Sequence, residues 1–380
     1  MTRTILDLGQ QPLVNNLCED EASSLVAEQF PLKAVLEDDL TIHLDYAVDP
    51  SILYGNYLYH SATSKPYLEH CKQMFRSFCF LRHDVVIDIG GNDGSLLKQI
   101  KENSKQKPVL INVDASPTFK EENEKEGIIF VNDFWGDHLS LPKANIITST
   151  NVFQHTKDIH AFMRGIERFL DGVWILEFPY AAKTICTNQF DQFYHEHYYY
   201  WLLTPLEALF KQYGLRVIHH QMQGIHGGTM RLWMTNREIG APTCDLSSYK
   251  KKEKELMSNA VLGLNIESLK QQFASMSEDV ESFGKIAFFG AAAKGCVFLN
   301  ALGISSASNG PSFVIDDTKS KQGLYVPGTG FPVVDRAKLS ECNTIIILAH
   351  NFADHIAKSL RKDAFCGRIV AMLPTYREFE

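Results

Sequence analysis

From about Phe80 to Trp233 the chain alternates short apolar runs with longer amphipathic stretches. The runs are Val85–Ile89, Val109–Asp114, Ile128–Val131, Ile146–Ser149, Val173–Phe178, Leu215–His220 and Met230–Met234. Runs this short that stay apolar on successive residues read as strands buried on both faces, and the helical periods between them read as crossovers. That order predicts an α/β domain with a mostly parallel sheet and helices on both sides. The pattern restarts at Ile286–Phe289 and continues with Phe313–Asp317 and Thr344–Ala349, predicting a second, smaller doubly wound domain. Before the first pattern, residues 1–75 hold turns and short runs, with a helical period only from Tyr67 to Phe78, which suggests a small irregular cap. Between the two patterns, about Asp245 to Phe283 is charged and helix-prone, and reads as solvated connecting helices at Lys250–Met257 and Ile266–Met276. The expected division is a cap (1–75), a central α/β domain (76–240), a helical linker (241–283) and a C-terminal α/β domain (284–380).

Bulk composition narrows the partners. A chain of 380 residues, 45% hydrophobic and 22% charged, is too long for one core and ordinary for a globular protein. The net charge is −8, and the one basic cluster, Lys250–Lys252, is followed at once by Glu253 and Glu255, so a nucleic-acid partner is not expected. No apolar run approaches the roughly 20 residues of a membrane helix, and no charged-then-apolar signal opens the chain. A cytoplasmic protein with no membrane partner is expected. The eight cysteines are scattered without a C-x-x-C pair, which supports neither a disulfide framework nor a cysteine zinc site.

The candidate chemistry sits at the ends of the apolar runs, where open α/β sheets bind ligands. Val85–Ile89 breaks into Gly90-Gly91-Asn92-Asp93-Gly94 and resumes as an amphipathic pattern. Such a turn removes the Cβ atoms that keep a ligand off the backbone and points helix-end N–H groups at it. The spacing departs from a dinucleotide G-x-G-x-x-G; an acid followed by G-x-x-x-G instead resembles the first motif of the class I S-adenosylmethionine (SAM) methyltransferases. In those enzymes the acid, here Asp88, holds the amino-acid end of SAM. The next run ends in Asp114, a carboxylate suited to a ribose diol. Gly90, Gly91, Asn92, Gly94 and Ala115 complete the expected cofactor contacts around these two turns. Asn132, Asp133 and Phe134 follow a third run, where an acid and an aromatic suit an adenine, and Asn151 and Val152 follow a fourth.

The densest polar-aromatic piece is Phe190–Trp201, in which Tyr194-His195-Glu196-His197 brings three kinds of proton-transfer group together among aromatics. A histidine beside a carboxylate meets the needs of a pocket base: a pKa near neutrality and a partner to hold it. The spacing makes no H-E-x-x-H helix, so no metal is expected. Tyr57 and Tyr59 share a face if their segment is extended, and hydroxyl-rich, glycine-containing segments of this kind also make ligand loops. Gly224–Arg231 is a glycine turn with His226 and Arg231 at its ends. Gly290-Ala291-Ala292-Ala293-Lys294-Gly295 puts small residues and a lysine at a helix start, which suits an anion.

These segments together resemble the SAM-dependent C-methyltransferases that act on nucleotide-linked 4-keto-deoxysugars. The resemblance is carried by L-D-L-G at 6–9 with Pro12-Leu13, the Tyr57/Tyr59/Ser61/Ser64 segment, I-G-G-N-D-G at 89–94, Asn151-Val152-Phe153 with His155, and E-F-P-Y at 177–180. It continues with F-D-x-x-Y-H-E-H at 190–197, H-G-G-T-M-R at 226–231, G-A-A-A-K-G at 290–295, and K-Q-G with P-G-T at 321–329. It implies SAM as cofactor, S-adenosylhomocysteine (SAH) as product, and a nucleotide-diphosphate-linked 4-keto-deoxysugar as substrate. His197 is the expected base and His195 the next candidate. Glu196 would orient the base or share its proton, and Tyr194 with Tyr59 or Tyr57 would bind the developing enolate. His155, Tyr180, His226, Arg231, Ala292 and Lys294 are the expected substrate contacts. The family's N-terminal domain typically holds zinc through four cysteines, and the matching positions here lack them, so the cap is expected to rest on apolar packing alone. Two rival readings share most of this machinery: a sugar O-methyltransferase and a non-catalytic nucleotide-sugar-binding relative.

Overall fold

The fold was read from a computed structural model that describes residues 2–49, 52–53, 65–224, 227–238, 243–263, 265–309 and 312–380. Tyr57, Tyr59 and His226 lie outside the described residues.

The N-terminal region is a four-stranded antiparallel sheet, more regular than an irregular cap. Its strands are β1 (Arg3–Pro12), β2 (Gln29–Leu36), β3 (Ile42–Leu44) and, far along the chain, β9 (Tyr199–Tyr200), in the order β1-β2-β3-β9. β3 meets β9 through Ile42 opposite Tyr200 and His43 opposite Tyr199. Ile5, Leu6, Leu32, Ala34, Ile42 and Leu44 are buried beneath it. Apolar packing is not its only support: Arg3 Nη1 donates to Ala260 O at 3.0 Å, and Cys18 and Tyr325 exchange backbone hydrogen bonds of 2.9 and 2.8 Å. The strand pairing matters for function because β9 directly follows Tyr194–His197. Pairing it to the N-terminal sheet fixes where those side chains can stand.

The central sheet has seven strands. They are β4 (Val85–Ile89), β5 (Val109–Val113), β6 (Ile129–Val131), β7 (Ala144–Thr150), β8 (Leu170–Pro179), β10 (Arg216–Gln223) and β11 (Thr229–Thr235). Their order is β10-β11-β8-β7-β4-β5-β6, with β11 antiparallel to both neighbours and the rest parallel. Alternate residues of one strand enter opposite cores, as a two-residue period requires. Ile87 and Ile89 face one apolar cluster and Val86 the other, while Trp174 and Ile175 divide in the same way. The helix Lys65–Phe78 crosses the expected boundary at residue 75 and packs Cys71, Met74, Phe75 and Phe78 against Val86 and Ile175.

The C-terminal sheet has six strands: β12 (Ile286–Phe289), β13 (Val314–Ile315), β14 (Val333–Val334), β15 (Thr344–Ile347), β16 (Arg368–Ala371) and β17 (Arg377–Phe379). Their order is β14-β13-β12-β15-β16-β17, and only the β16–β17 pair is antiparallel. Its contact with the central domain is closely packed. Phe190 stacks on Phe298 with ring centroids 6.4 Å apart, and His350 Nδ1 lies 3.1 Å from Asp191 Oδ2 with both side chains buried.

The stretch expected to be solvated linker helices is partly structural core. Helices Ser247–Ser258 and Ile266–Glu278 form, but Glu253 is fully buried, and its carboxylate accepts from Leu203 N at 2.7 Å and Thr204 N at 2.9 Å. Those N–H groups open the helix Leu203–Gln212. A helix start leaves its first N–H groups without partners inside the helix, so a buried carboxylate there answers both the hydrogen-bond and the dipole requirement. No described helix is long and apolar enough to cross a membrane.

Candidate active site

The carboxyl ends of β4, β5 and β7, the Tyr194–His197 turn and three loops of the C-terminal domain surround one cavity of about 740 Å³. That is ample for a nucleoside-sized cofactor with part of a second molecule. The glycine turn and the histidine turn, about a hundred residues apart in sequence, therefore share one space.

The glycine turn forms its floor. Gly90 has φ +62°, and a Cβ there would fall 2.5 Å from Val152 Cγ2, so both the backbone conformation and the space exclude a side chain. A Cβ on Gly91 would meet Asn112 Oδ1 at 2.6 Å and Asp88 Oδ2 at 2.8 Å. Asp114 lines the cavity with each oxygen accepting one backbone N–H, Oδ2 from Asn92 and Oδ1 from Ser116, both at 2.9 Å. A carboxylate fixed in that way keeps lone pairs available for two adjacent hydroxyls. Burial raises its pKa. Asn92, Ala115, Asp133, Phe134, Asn151 and Val152 also line the cavity. Phe134 is exposed enough to lie over a flat ring. These residues fit SAM: a diol acceptor, a backbone cradle cleared of Cβ atoms, and an aromatic beside an acid.

Four of the expected cofactor contacts have other partners. Asp88 is buried and absent from the cavity lining, with Oδ1 accepting from Thr148 Oγ1 at 2.7 Å. Burial pushes its pKa up to about 7, and it supports the turn from below. Gly91 N donates inward to Asn112 Oδ1 at 3.1 Å, and Gly94, at φ +74°, is closed in by Asn123. Asn132 Nδ2 donates to the carbonyls of Asp114 and Ala115 at 3.0 and 2.9 Å, bracing the loop and not facing the cavity.

On the opposite side, Tyr194, Glu196 and His197 line the cavity together. The Tyr194 hydroxyl and His197 Nε2 are 2.8 Å apart. The ring of His155 meets that of His197 edge-on at 4.9 Å, and His155 Nδ1 donates to Glu196 O at 2.7 Å. Burial drives the His155 pKa down to about 4, so this ring is neutral in ordinary buffers. The Glu196 carboxylate accepts from Asn15 Nδ2 at 2.6 Å, a residue of the N-terminal region. Burial pushes Glu196 up to about 7, with the Asn15 hydrogen bond and the Lys321 charge working against that rise.

His195 does not line the cavity: its Nε2 lies 3.2 Å from Phe30 O and its ring packs edge-on to Phe30. The backbone explains the difference, because His197 N donates to Tyr194 O at 2.9 Å. That turn removes the shared face two alternate residues would have in a strand. Tyr180 is likewise withdrawn, its hydroxyl donating to Glu253 Oε1 at 2.7 Å. Arg231 is 2% exposed and ion-paired through Nε to Glu177 Oε1. Neither Tyr180 nor Arg231 lines the cavity.

The third wall comes from the C-terminal domain. Ala292 and Lys294 line the cavity, and burial lowers the Lys294 pKa to about 8 while the charge of Asp191 opposes the shift. Lys321 joins them, with Nζ donating to Ala291 O at 2.7 Å. Lys321, Asn15 and Tyr67 are lining residues to which sequence reasoning gave no role. Lys321 and Asn15 stand in or beside the K-Q-G and Pro12-Leu13 motifs, a usable signal, whereas Tyr67 is one ring in a helical period. Among the described residues no group of three or more histidine, cysteine or acidic side chains could hold a metal ion.

A methyltransferase-domain family model matches residues 67–220, and a C-methyltransferase C-terminal domain model matches residues 224–374. The C-methyltransferase NovU of Streptomyces niveus is 25% identical over 375 residues, which cover 93% of this chain and 88% of NovU. Among solved structures, the mitomycin 7-O-methyltransferase MmcR is 16% identical over 46% of this chain and 56% of its own, with a TM-score of 0.39. Magnesium protoporphyrin IX methyltransferase ChlM from Synechocystis PCC 6803, solved with bound SAH, is 13% identical over 45% of this chain and 83% of its own, with a TM-score of 0.38. With a methyltransferase domain matched over residues 67–220 and a C-methyltransferase C-terminal domain over residues 224–374, the protein is a SAM-dependent methyltransferase.

Proposed function

We propose that the enzyme methylates carbon on a nucleotide-linked 4-keto-deoxysugar, at a position next to the ketone. The observation that carries this reading is the single cavity in which Tyr194, Glu196 and His197 face the Gly90–Asn92 turn on one side and Lys294 and Lys321 on the other. A C–H bond beside a ketone is acidic enough for an imidazole to take its proton while the electron pair moves onto the ketone oxygen. His197 is the base in this reading. In the same reading the Tyr194 hydroxyl, 2.8 Å from His197 Nε2, donates to the developing enolate oxygen. His155 is neutral and braces the Glu196 backbone, and Glu196, held near neutrality, exchanges a proton within the same cavity. SAM, when bound, supplies an electrophilic methyl group. The enolate carbon would form its new bond to that methyl as the methyl–sulfur bond breaks and its electron pair returns to sulfur, which would leave SAH and restore the ketone. Lys294 and Lys321 offer the positive charge a nucleotide diphosphate requires.

The test is methyl transfer to a panel of 4-keto nucleotide sugars, with the methylated carbon located by NMR. The expected result is a C-methyl product and, without SAM, exchange of solvent deuterium into the position next to the ketone. A methyl ether product, or no exchange with any sugar of the panel, overturns the reading.

A further inference from the structure

His70, Glu177 and Arg231 form a buried cluster that the proposed methyl transfer does not use. Glu177 is 0%, Arg231 2% and His70 8% exposed. Antiparallel pairing of β11 with β8 sets Arg231 directly opposite Glu177, and its Nε donates to Glu177 Oε1. The other carboxylate oxygen takes His70 Nε2 at 2.8 Å. An ionised carboxylate only accepts, so Nε2 carries the proton, and the Arg231 Nη2 atom at 3.3 Å finds no lone pair there. The strand pair already neutralises Glu177. A third polar partner drawn from the helix Lys65–Phe78 fixes where that helix sits.

Both sides of this cluster lead to the cavity. One helical turn before His70, Tyr67 stacks on the imidazole with centroids 6.3 Å apart and planes 28° apart, and Tyr67 lines the cavity. On the strand side, Glu177 O accepts the N–H of Asn151 at 2.9 Å, and Asn151, a non-glycine residue at φ +56°, lines the cavity beside Val152. One turn farther along the helix, Met74 Sδ is 3.8 Å from Thr150 Oγ1, so the helix also touches the end of β7.

The geometry points to His70 as a positioning residue for the cofactor: through Glu177 it holds Tyr67 and the Asn151 loop as two walls of the SAM cavity. Nothing in this inference depends on which substrate is methylated, so it can fail while the sugar reading stands, and the reverse.

The test is calorimetric binding of SAH to Tyr67→Ala, His70→Ala, the double variant and His70→Gln, with KM for SAM and kcat beside it. If His70 acts by holding Tyr67, each alanine variant weakens SAH binding about tenfold, and the double variant is no weaker than the poorer single one. His70→Gln, whose amide still donates to Glu177, restores most of the affinity, and KM for SAM rises more than kcat falls. Tyr67→Ala deletes no partner of Glu177, so it is informative even where His70→Ala folds poorly. SAH affinity unchanged in Tyr67→Ala, or losses in the double variant that multiply, overturns the inference.

Discussion

Glu196 and His197 are neighbours in sequence with different tasks in the cavity, and each can be separated by one substitution. Burial pushes the Glu196 carboxyl up to about 7, so a rate that depends on its protonation state changes with a midpoint near pH 7. Glu196→Gln is expected to abolish that inflection in kcat against pH; a profile that keeps its midpoint would assign it to another group. The raised value also carries a stability consequence of definite sign. The folded state holds this proton more tightly than the unfolded chain, so the contribution is full below the ordinary value of 4.5 and is lost as pH rises toward about 7. For His197→Asn the expectation is a loss of roughly 10²–10⁴ in turnover with SAH binding kept. Calorimetry and steady-state rates on one preparation decide it. At this scale residue types were legible and directions were not. Tyr194, His195, Glu196 and His197 stood out by composition, but only the turn at His197 N sends His195 toward Phe30 and His197 into the cavity.

Among the elements, the helix Ser247–Ser258 is the one whose role changed most between pattern and fold. Its helical period was plain, while Glu253 and Glu255 look alike in a charged stretch. Only packing buries Glu253 and gives it Tyr180 Oη, Leu203 N, Thr204 N and Thr204 Oγ1 as donors. Removing a buried acceptor of several donors leaves them all without partners, so Glu253→Ala should cost about 3 kcal/mol, read as a lower urea midpoint. An unchanged midpoint would show that water replaces the carboxylate. The β8–β11 pair makes a second prediction. Burial alone would raise the Glu177 pKa, but the His70 hydrogen bond and the Arg231 charge outweigh it and lower the value below 4.5. A depressed carboxylate stabilises the fold above its unfolded pKa, and that stability is lost as pH falls through the folded value. Arg231→Leu withdraws one of those influences and should move the acid-unfolding midpoint to higher pH. The family resemblance marked Arg231 as a substrate contact; the strand register opposite Glu177 gives it a partner in the sheet instead.

Across the whole molecule, the cavity exists because three parts of the chain meet, and two of its lysines, Lys294 and Lys321, come from the last of them. Lys294 titrates near 8 in its buried position, so its positive charge fades as pH rises past that value. Affinity for a nucleotide diphosphate sugar should therefore fall between pH 7 and pH 9 in the native protein and be low and nearly flat across that range in Lys294→Ala. Calorimetry at the two pH values checks this; an affinity indifferent to both pH and substitution would remove Lys294 from the anion site. The seven strands of the central sheet, the Gly90 turn and the acid at the end of β5 were legible in the sequence on its own, whereas the N-terminal sheet of β1, β2, β3 and β9 was not. Each legible feature follows from local periodicity or from a backbone conformation open to few residues. Which polar side chains face ligand and which face protein was decided only by tertiary structure. A buried hydrogen-bonding group takes whatever partner the packed chain brings within about 3 Å, and that partner is usually distant in sequence. Asn15 and Lys321 entered the site for this reason, and Tyr180 and Arg231 left it for the same one.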